Sequence, residues 1–99
     1  MSSTNENKVL DAIYQALRSL NEERGPDGQI EIGPETILFG EDSALDSLAL
    51  VSVIVDLETL ISDRFERSIS LTDDKAMSRD PVPFTNVTVL QHYILELMA

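Results

Sequence analysis

The feature that most constrains this chain is the run Ser47 to Ser62, which is apolar almost all the way round. Leu48, Leu50, Val51, Val53, Ile54, Val55, Leu57, Leu60 and Ile61 leave only a narrow polar stripe at Ala49, Ser52, Asp56 and Thr59. Its β-branched content would suit a buried strand. Sixteen residues without a glycine or proline is long for a strand, however, and an Asp-Ser start is a good helix cap. The reading is a helix with more apolar surface than one core requires. Part of that surface is expected to face a partner or a cargo.

At 99 residues there is room for one domain, spanning 1–99, and its core must be economical. A hydrophobic content of 42% is ordinary for a folded chain. The formal charge of −11 is the strong deviation. No Lys or Arg lies between Arg24 and Arg64, whereas Asp27, Glu31, Glu35, Glu41, Asp42, Asp46, Asp56, Glu58 and Asp63 all do. Such a stretch disfavours nucleic-acid phosphates and anionic lipid, and favours basic protein surfaces. The absence of cysteine excludes a disulfide framework and a thiolate metal site, so any thiol the protein works with comes from outside. No apolar run is long enough to span a bilayer, and Met1-Ser2-Ser3-Thr4-Asn5-Glu6 does not read as a signal peptide. The expectation is a cytoplasmic protein, with no membrane insertion.

Three further segments complete the pattern. Val9, Ala12, Ile13, Ala16, Leu17 and Leu20 recur at helical steps and predict a first helix over roughly 5–22, closed by Gly25-Pro26. From about Asn21 to Asp46 no period persists. Gln29-Ile30-Glu31-Ile32 reads as a short strand only if it finds a partner, and the buried-type residues of this long loop are expected to pack over the helices. Thr72-Asp73-Asp74-Lys75-Ala76-Met77 predicts a short helix near 72–78, stopped by Pro81 and Pro83. A last helix is expected from Thr85 or Asn86, with Val87, Leu90, Tyr93, Ile94 and Leu97 on its apolar stripe. The sum is an all-α fold: a four-helix bundle with three main helices, a short third helix and a long loop between the first and second.

Asp46-Ser47-Leu48 opens the apolar helix inside the acidic stretch. No general base beside Ser47 is evident in sequence, so the hydroxyl reads as a target for modification rather than as a nucleophile. A phosphate ester there would sit where free backbone N–H groups and the helix dipole favour an anion. The simpler reading is that Asp46 or Ser47 caps the helix. Elsewhere His92, the only histidine, has no metal-ligand set around it, and Asp73-Asp74 reads as a helix-start charge pair. The loop acids lack the spacing of a calcium loop. Arg64 and Arg67 read as a solvated helix end, and Tyr14 and Tyr93 as core-edge residues. No metal site is expected, and no intrinsic enzyme activity.

Leu38-Phe39-Gly40-Glu41-Asp42-Ser43-Ala44-Leu45-Asp46-Ser47-Leu48-Ala49-Leu50-Val51 resembles the phosphopantetheine attachment region of acyl carrier proteins. The order of elements is similar along nearly the whole chain, and Phe84-Thr85-Asn86-Val87-Thr88-Val89-Leu90-Gln91-His92-Tyr93-Ile94 looks like that family's final helix. The resemblance implies a monomeric carrier, not an enzyme. A phosphopantetheinyl transferase would move 4′-phosphopantetheine from coenzyme A onto Ser47, with Asp46 and Leu48 flanking the attachment. The thiol of the arm would then carry acyl groups as thioesters in lipid, fatty-acid-like or secondary-metabolite biosynthesis. Leu48 and Val55 would make exposed apolar contacts with acyl-loading and acyl-processing enzymes, and Asp46, Asp56 and Glu58 would meet their basic docking surfaces.

One departure matters. Carriers of general fatty acid synthesis often place carboxylates where Ala49 and Ser52 stand here, and the long Gly25-to-Gly40 loop and the Phe39-Gly40 element before the serine also depart from the housekeeping form, which implies a specialised member. A peptidyl or aminoacyl carrier shares the serine. An unmodified helical adaptor, which binds protein partners through the second helix, is the reading outside the carrier class.

Overall fold

The computed structural model describes residues 2–40, 43, 45–71, 78 and 82–98. Among these the fold is all-helical, with three α-helices and no strand: α1, Ser2–Glu23; α2, Ser47–Phe65; and α3, Val87–Met98. The short helix expected near 72–78 and the pair Asp73-Asp74 lie outside the described residues apart from Ser78, as do Glu41, Asp42 and Ala44.

The core follows from the helical periods. Val9, Ala12, Ile13, Ala16 and Leu17 of α1 are all buried, and α1 packs against both α2 and α3. From α2 come Ala49, Leu50, Val53, Ile54, Leu57 and Ile61, and from α3 Val87, Leu90, Tyr93 and Ile94. Each large apolar side chain so buried contributes about 1.5–3 kcal/mol relative to exposure. Helix α1 begins earlier than the period indicates because the added turn, Ser2 to Thr4, holds no apolar residue for a period to register. Helix α2 runs past Ser62 to Phe65 and ends at Glu66, whose φ of 54° and ψ of 37° are left-handed. A glycine would have marked that stop in the sequence; a glutamate does not. The start of α3 is capped as its sequence suggests, with Asn86 Oδ1 accepting from the Val89 N–H at 2.9 Å.

Residues 24–40 run from α1 towards α2 with one 3-10 turn, Pro26–Gly28, and otherwise irregular backbone. Ile30, Leu38 and Leu45 of the connection are buried in the same core as the helices. The Gln29–Ile32 segment forms no strand, because a side chain takes the place of a strand partner. Asn21 Oδ1 accepts from the Ile30 N–H at 2.8 Å and Asn21 Nδ2 donates to the Ile30 carbonyl at 3.0 Å. Both backbone groups of a buried residue are thereby satisfied from the last turn of α1. Asn21→Ala is expected to lower the unfolding free energy by about 2 kcal/mol, one hydrogen bond at each end of the amide. Urea denaturation checks this, and an unchanged midpoint would show that the pair does not hold the loop.

Further along, the loop is fastened to the start of α3. The Val87 N–H donates to the Thr36 carbonyl at 3.1 Å, and the Leu38 N–H to the Thr85 carbonyl at 3.4 Å. Ile37 and Asn86 form an isolated antiparallel bridge between them. Thr88 donates through both N–H (3.1 Å) and Oγ1 (2.9 Å) to the Pro34 carbonyl. These bonds hold residues 34–38 against α3 and fix where Phe39 emerges.

Two arginines expected at a solvated helix end also tie elements together. Arg64 donates to the Gln15 side chain and, at 3.5 Å, to the Lys8 carbonyl of α1, while Arg67 donates to the Met98 carbonyl at the end of α3. Tyr93, expected at the core edge, is buried, whereas Tyr14 is partly exposed and packs against the core from outside. His92 is exposed.

Candidate functional site

Ser47 is the first residue of α2, and the geometry around it is set by Asp46. The Asp46 carbonyl accepts the first helical bond, from the Leu50 N–H at 2.9 Å. Its Oδ1 accepts from the Ala49 N–H at 2.8 Å, so Asp46 is the cap and Ser47 occupies the first helical position. The two N–H groups before Ala49, those of Ser47 and Leu48, belong to the helix start that has no intrahelical acceptor. An anion borne by Ser47 would meet them and the positive end of the α2 dipole. Asp46→Ala is expected to cost about 1 kcal/mol of stability through loss of the cap, read as a lower thermal midpoint. An unchanged midpoint would remove Asp46 from that role.

The surroundings are open. Asp46 and Leu48, which bracket Ser47, are both exposed, Leu48 to 81% of its surface. Val51 and Val55 follow at 55% and 53%. Leu48, Val51 and Val55 stand three and four residues apart, so they share one face of the helix. Ser52, Asp56 and Thr59 are exposed beside them. This corrects the expected polar stripe. Ala49 is buried, because it stands four residues before Val53 on the side that packs inward. The outward side is instead half aliphatic.

Of the residues singled out in the sequence, Asp46, Leu48, Val55 and Asp56 lie at the surface along α2. Glu58 is only half-exposed, and its Oε2 accepts from the Leu71 N–H at 2.7 Å, which ties the segment after α2 back onto the helix. Asp46 and Asp56 are therefore the exposed carboxylates of the set.

Val51 carries no separate signal in the sequence, and Phe39 stands out there only through the Phe39-Gly40 element before the serine. Phe39 is 48% exposed, and it lines with Val51 a hollow of ≈ 640 Å³ between the loop and the start of α2. Leu38, Leu45 and Leu50 supply its apolar floor, and Gly40, Ser43 and Asp46 complete it. Gly40 has φ of 113°, a conformation that residues with a side chain rarely adopt, and its carbonyl accepts from the Ser43 N–H at 3.2 Å. The Leu48-Val51-Val55 spacing was the signal for Val51, hidden because most positions around it in the helix are apolar too. The Phe39-Gly40 element marks Phe39 in the sequence but does not say that it faces outward while Leu38 is buried.

Among the described residues no group of three or more His, Cys, Asp or Glu side chains is placed to hold a metal ion, and no helix is long and apolar enough to cross a membrane. No family model, curated protein or solved structure matches the chain.

Proposed function

We propose that this protein is an acyl carrier, of the four-helix acyl-carrier type, whose attachment residue is Ser47. The observation that carries the reading is the position of Ser47 at the first turn of α2, capped by its neighbour and followed by an outward aliphatic face. A 4′-phosphopantetheine arm suits that position. Its neighbours Asp46 and Leu48 are exposed, and the helix start offers N–H groups to a phosphate. When bound, the arm would supply the thiol that a chain without cysteine lacks, and with it the capacity to hold an acyl group as a thioester.

The chain's own part in loading is small. The Ser47 hydroxyl oxygen attacks the phosphorus of coenzyme A that bears the pantetheine chain, forming a phosphodiester. The pyrophosphate P–O bond breaks, adenosine bisphosphate leaves with the electron pair, and the hydroxyl proton passes to a base on the transferase. Asp46 fixes the first turn of α2 and so the place from which Ser47 reacts. Leu48, Val55 and Asp56 present the face on which the transferase and the acyl-loading and acyl-processing enzymes dock, with Asp46 at its serine end and half-exposed Glu58 accepting from the Leu71 N–H.

The replacement of helix-two carboxylates by Ala49 and Ser52 supports a specialised pathway over general fatty acid synthesis. Ala49 is packed into the core, so a charge there would need a different helix orientation. A peptidyl or aminoacyl carrier would use the same serine; the acidity of the surface favours acyl cargo. The experiment is intact mass after incubation with coenzyme A, magnesium and a broad-specificity phosphopantetheinyl transferase. The carrier reading expects the folded protein to gain one phosphopantetheinyl group. No gain with several transferases would leave an adaptor that binds partners through the aliphatic face of α2.

A further inference from the structure

We propose that a hollow between residues 31–37 and the first turn of α3 binds an extended, basic segment of a partner protein, added as a strand beside Ile37. The hollow measures ≈ 630 Å³ and is lined by residues 31–37 and Thr88 rather than by α2. That volume falls within the range of about 300–1,000 Å³ usual for sites that bury a ligand. The inference does not rest on the carrier reading and applies equally to an adaptor.

The backbone supplies the first argument. The bridge between Ile37 and Asn86 is made by the bonds of their neighbours, from the Leu38 N–H to the Thr85 carbonyl and from the Val87 N–H to the Thr36 carbonyl. In an antiparallel pair of this kind the N–H and C=O of the two bridged residues point away from one another. Those of Ile37 are therefore turned away from Asn86, and they have no hydrogen-bond partner among the described residues. The N–H and C=O of Ile32, on the other limb of the turn, are open in the same sense. Thr36 holds the two limbs together. Its Oγ1 donates to the Glu31 carbonyl and accepts from the Gly33 N–H, both at 2.8 Å, and its N–H donates to the Gly33 carbonyl at 3.2 Å. A fastened edge with open backbone groups is a template for a further strand.

Side chains select the occupant. Glu31 and Glu35 stand exposed at the hollow, and no Lys or Arg lies between Arg24 and Arg64. A segment bearing Lys or Arg is drawn to this wall and an acidic one is repelled. Ile32, Pro34 and Ile37 give the hollow its apolar lining, so aliphatic residues are expected at alternate positions of the added strand. A second copy of this chain would bring the same acidic stretch and a net charge of −11, which disfavours pairing between copies.

The test is an NMR titration of the isotope-labelled protein with short capped peptides in which Lys or Arg alternates with Val, Ile or Leu. The amide resonances of Ile32 and Ile37 are expected to shift together and to saturate. Methylating the backbone nitrogens along one edge of the tightest peptide should raise Kd about tenfold, whereas methylating the other edge should leave it unchanged, because an added strand pairs through one edge only. Both methylated peptides keep the charge and the side chains. Glu31→Gln combined with Glu35→Gln should raise Kd about tenfold at low salt, while Asp63→Asn, near the end of α2, should match the parent. If both methylated peptides bind as tightly as the parent peptide, the attraction is charge alone and the strand inference is overturned. Shifts gathered on the outward face of α2, or no binding by any of the peptides at millimolar concentration, would overturn it as well. None of these outcomes bears on the loading of Ser47, which the mass measurement reads separately.

Discussion

Ser47→Ala is expected to abolish phosphopantetheine transfer while leaving the unfolding free energy within about 0.5 kcal/mol of the parent. The two halves of that expectation come from different atoms. The cap of α2 is a bond between Asp46 Oδ1 and the Ala49 N–H, and it is untouched when the next residue loses its hydroxyl. Alanine is a good helix former, so the first helical position tolerates it. Transfer has no alternative acceptor at that position once the hydroxyl is gone. Asp46→Ala should behave in the opposite sense, losing stability without losing the acceptor. If Ser47→Ala destabilised as much as Asp46→Ala, the hydroxyl would be a structural group and the attachment reading would lose its main argument. Parallel denaturation and transfer assays on the two variants decide this.

Leu57→Ala is expected to lower the unfolding free energy by about 3 kcal/mol. Leu57 is fully buried on the inward side of α2, the helix that packs on α1. Truncation removes buried methyl groups and leaves a cavity that neighbouring helices only partly close. For a domain of this size that is a large part of the total stability. Val55→Ala, two residues earlier on the outward side, should cost less than about 0.5 kcal/mol, because Val55 is already half in water. The contrast tests the orientation of α2. Equal losses at the two positions would mean that the helix is rotated and that its exposed face is not the one described. Chemical denaturation of both variants, analysed with a common slope, provides the comparison.

Much of the fold was legible because it follows from period and caps. Helix α1 announces itself through Val9, Ala12, Ile13, Ala16 and Leu17, and α3 through Asn86, Val87, Leu90 and Ile94. Helix α2 was legible in existence and start but not in orientation. A segment that is apolar all round carries little directional signal, so the sequence could not tell that Ala49 turns inward and Val51 outward. The inward side is chosen by packing against α1, a tertiary fact. The loop was harder still. That Asn21 would serve as the partner of Ile30, and that Thr36 and Pro34 would meet the first turn of α3, depends on pairs separated by 9 to 54 residues. No local pattern encodes them. Phe39 illustrates the consequence for the site: its neighbour Leu38 is buried and it is not, and only the bridge between Ile37 and Asn86 fixes which of the two points outward.

The central claim is that Ser47 carries an arm ending in a thiol, and the chain allows a direct measurement of it. With no cysteine in the sequence, the unmodified protein has no thiol to titrate. After treatment with coenzyme A, magnesium and transferase, then removal of all small molecules, thiol titration should find one group per chain. Ser47→Ala treated in the same way should yield none. A treated, folded parent without a thiol, under several transferases, would contradict the carrier account; so would a thiol that appears equally on Ser47→Ala.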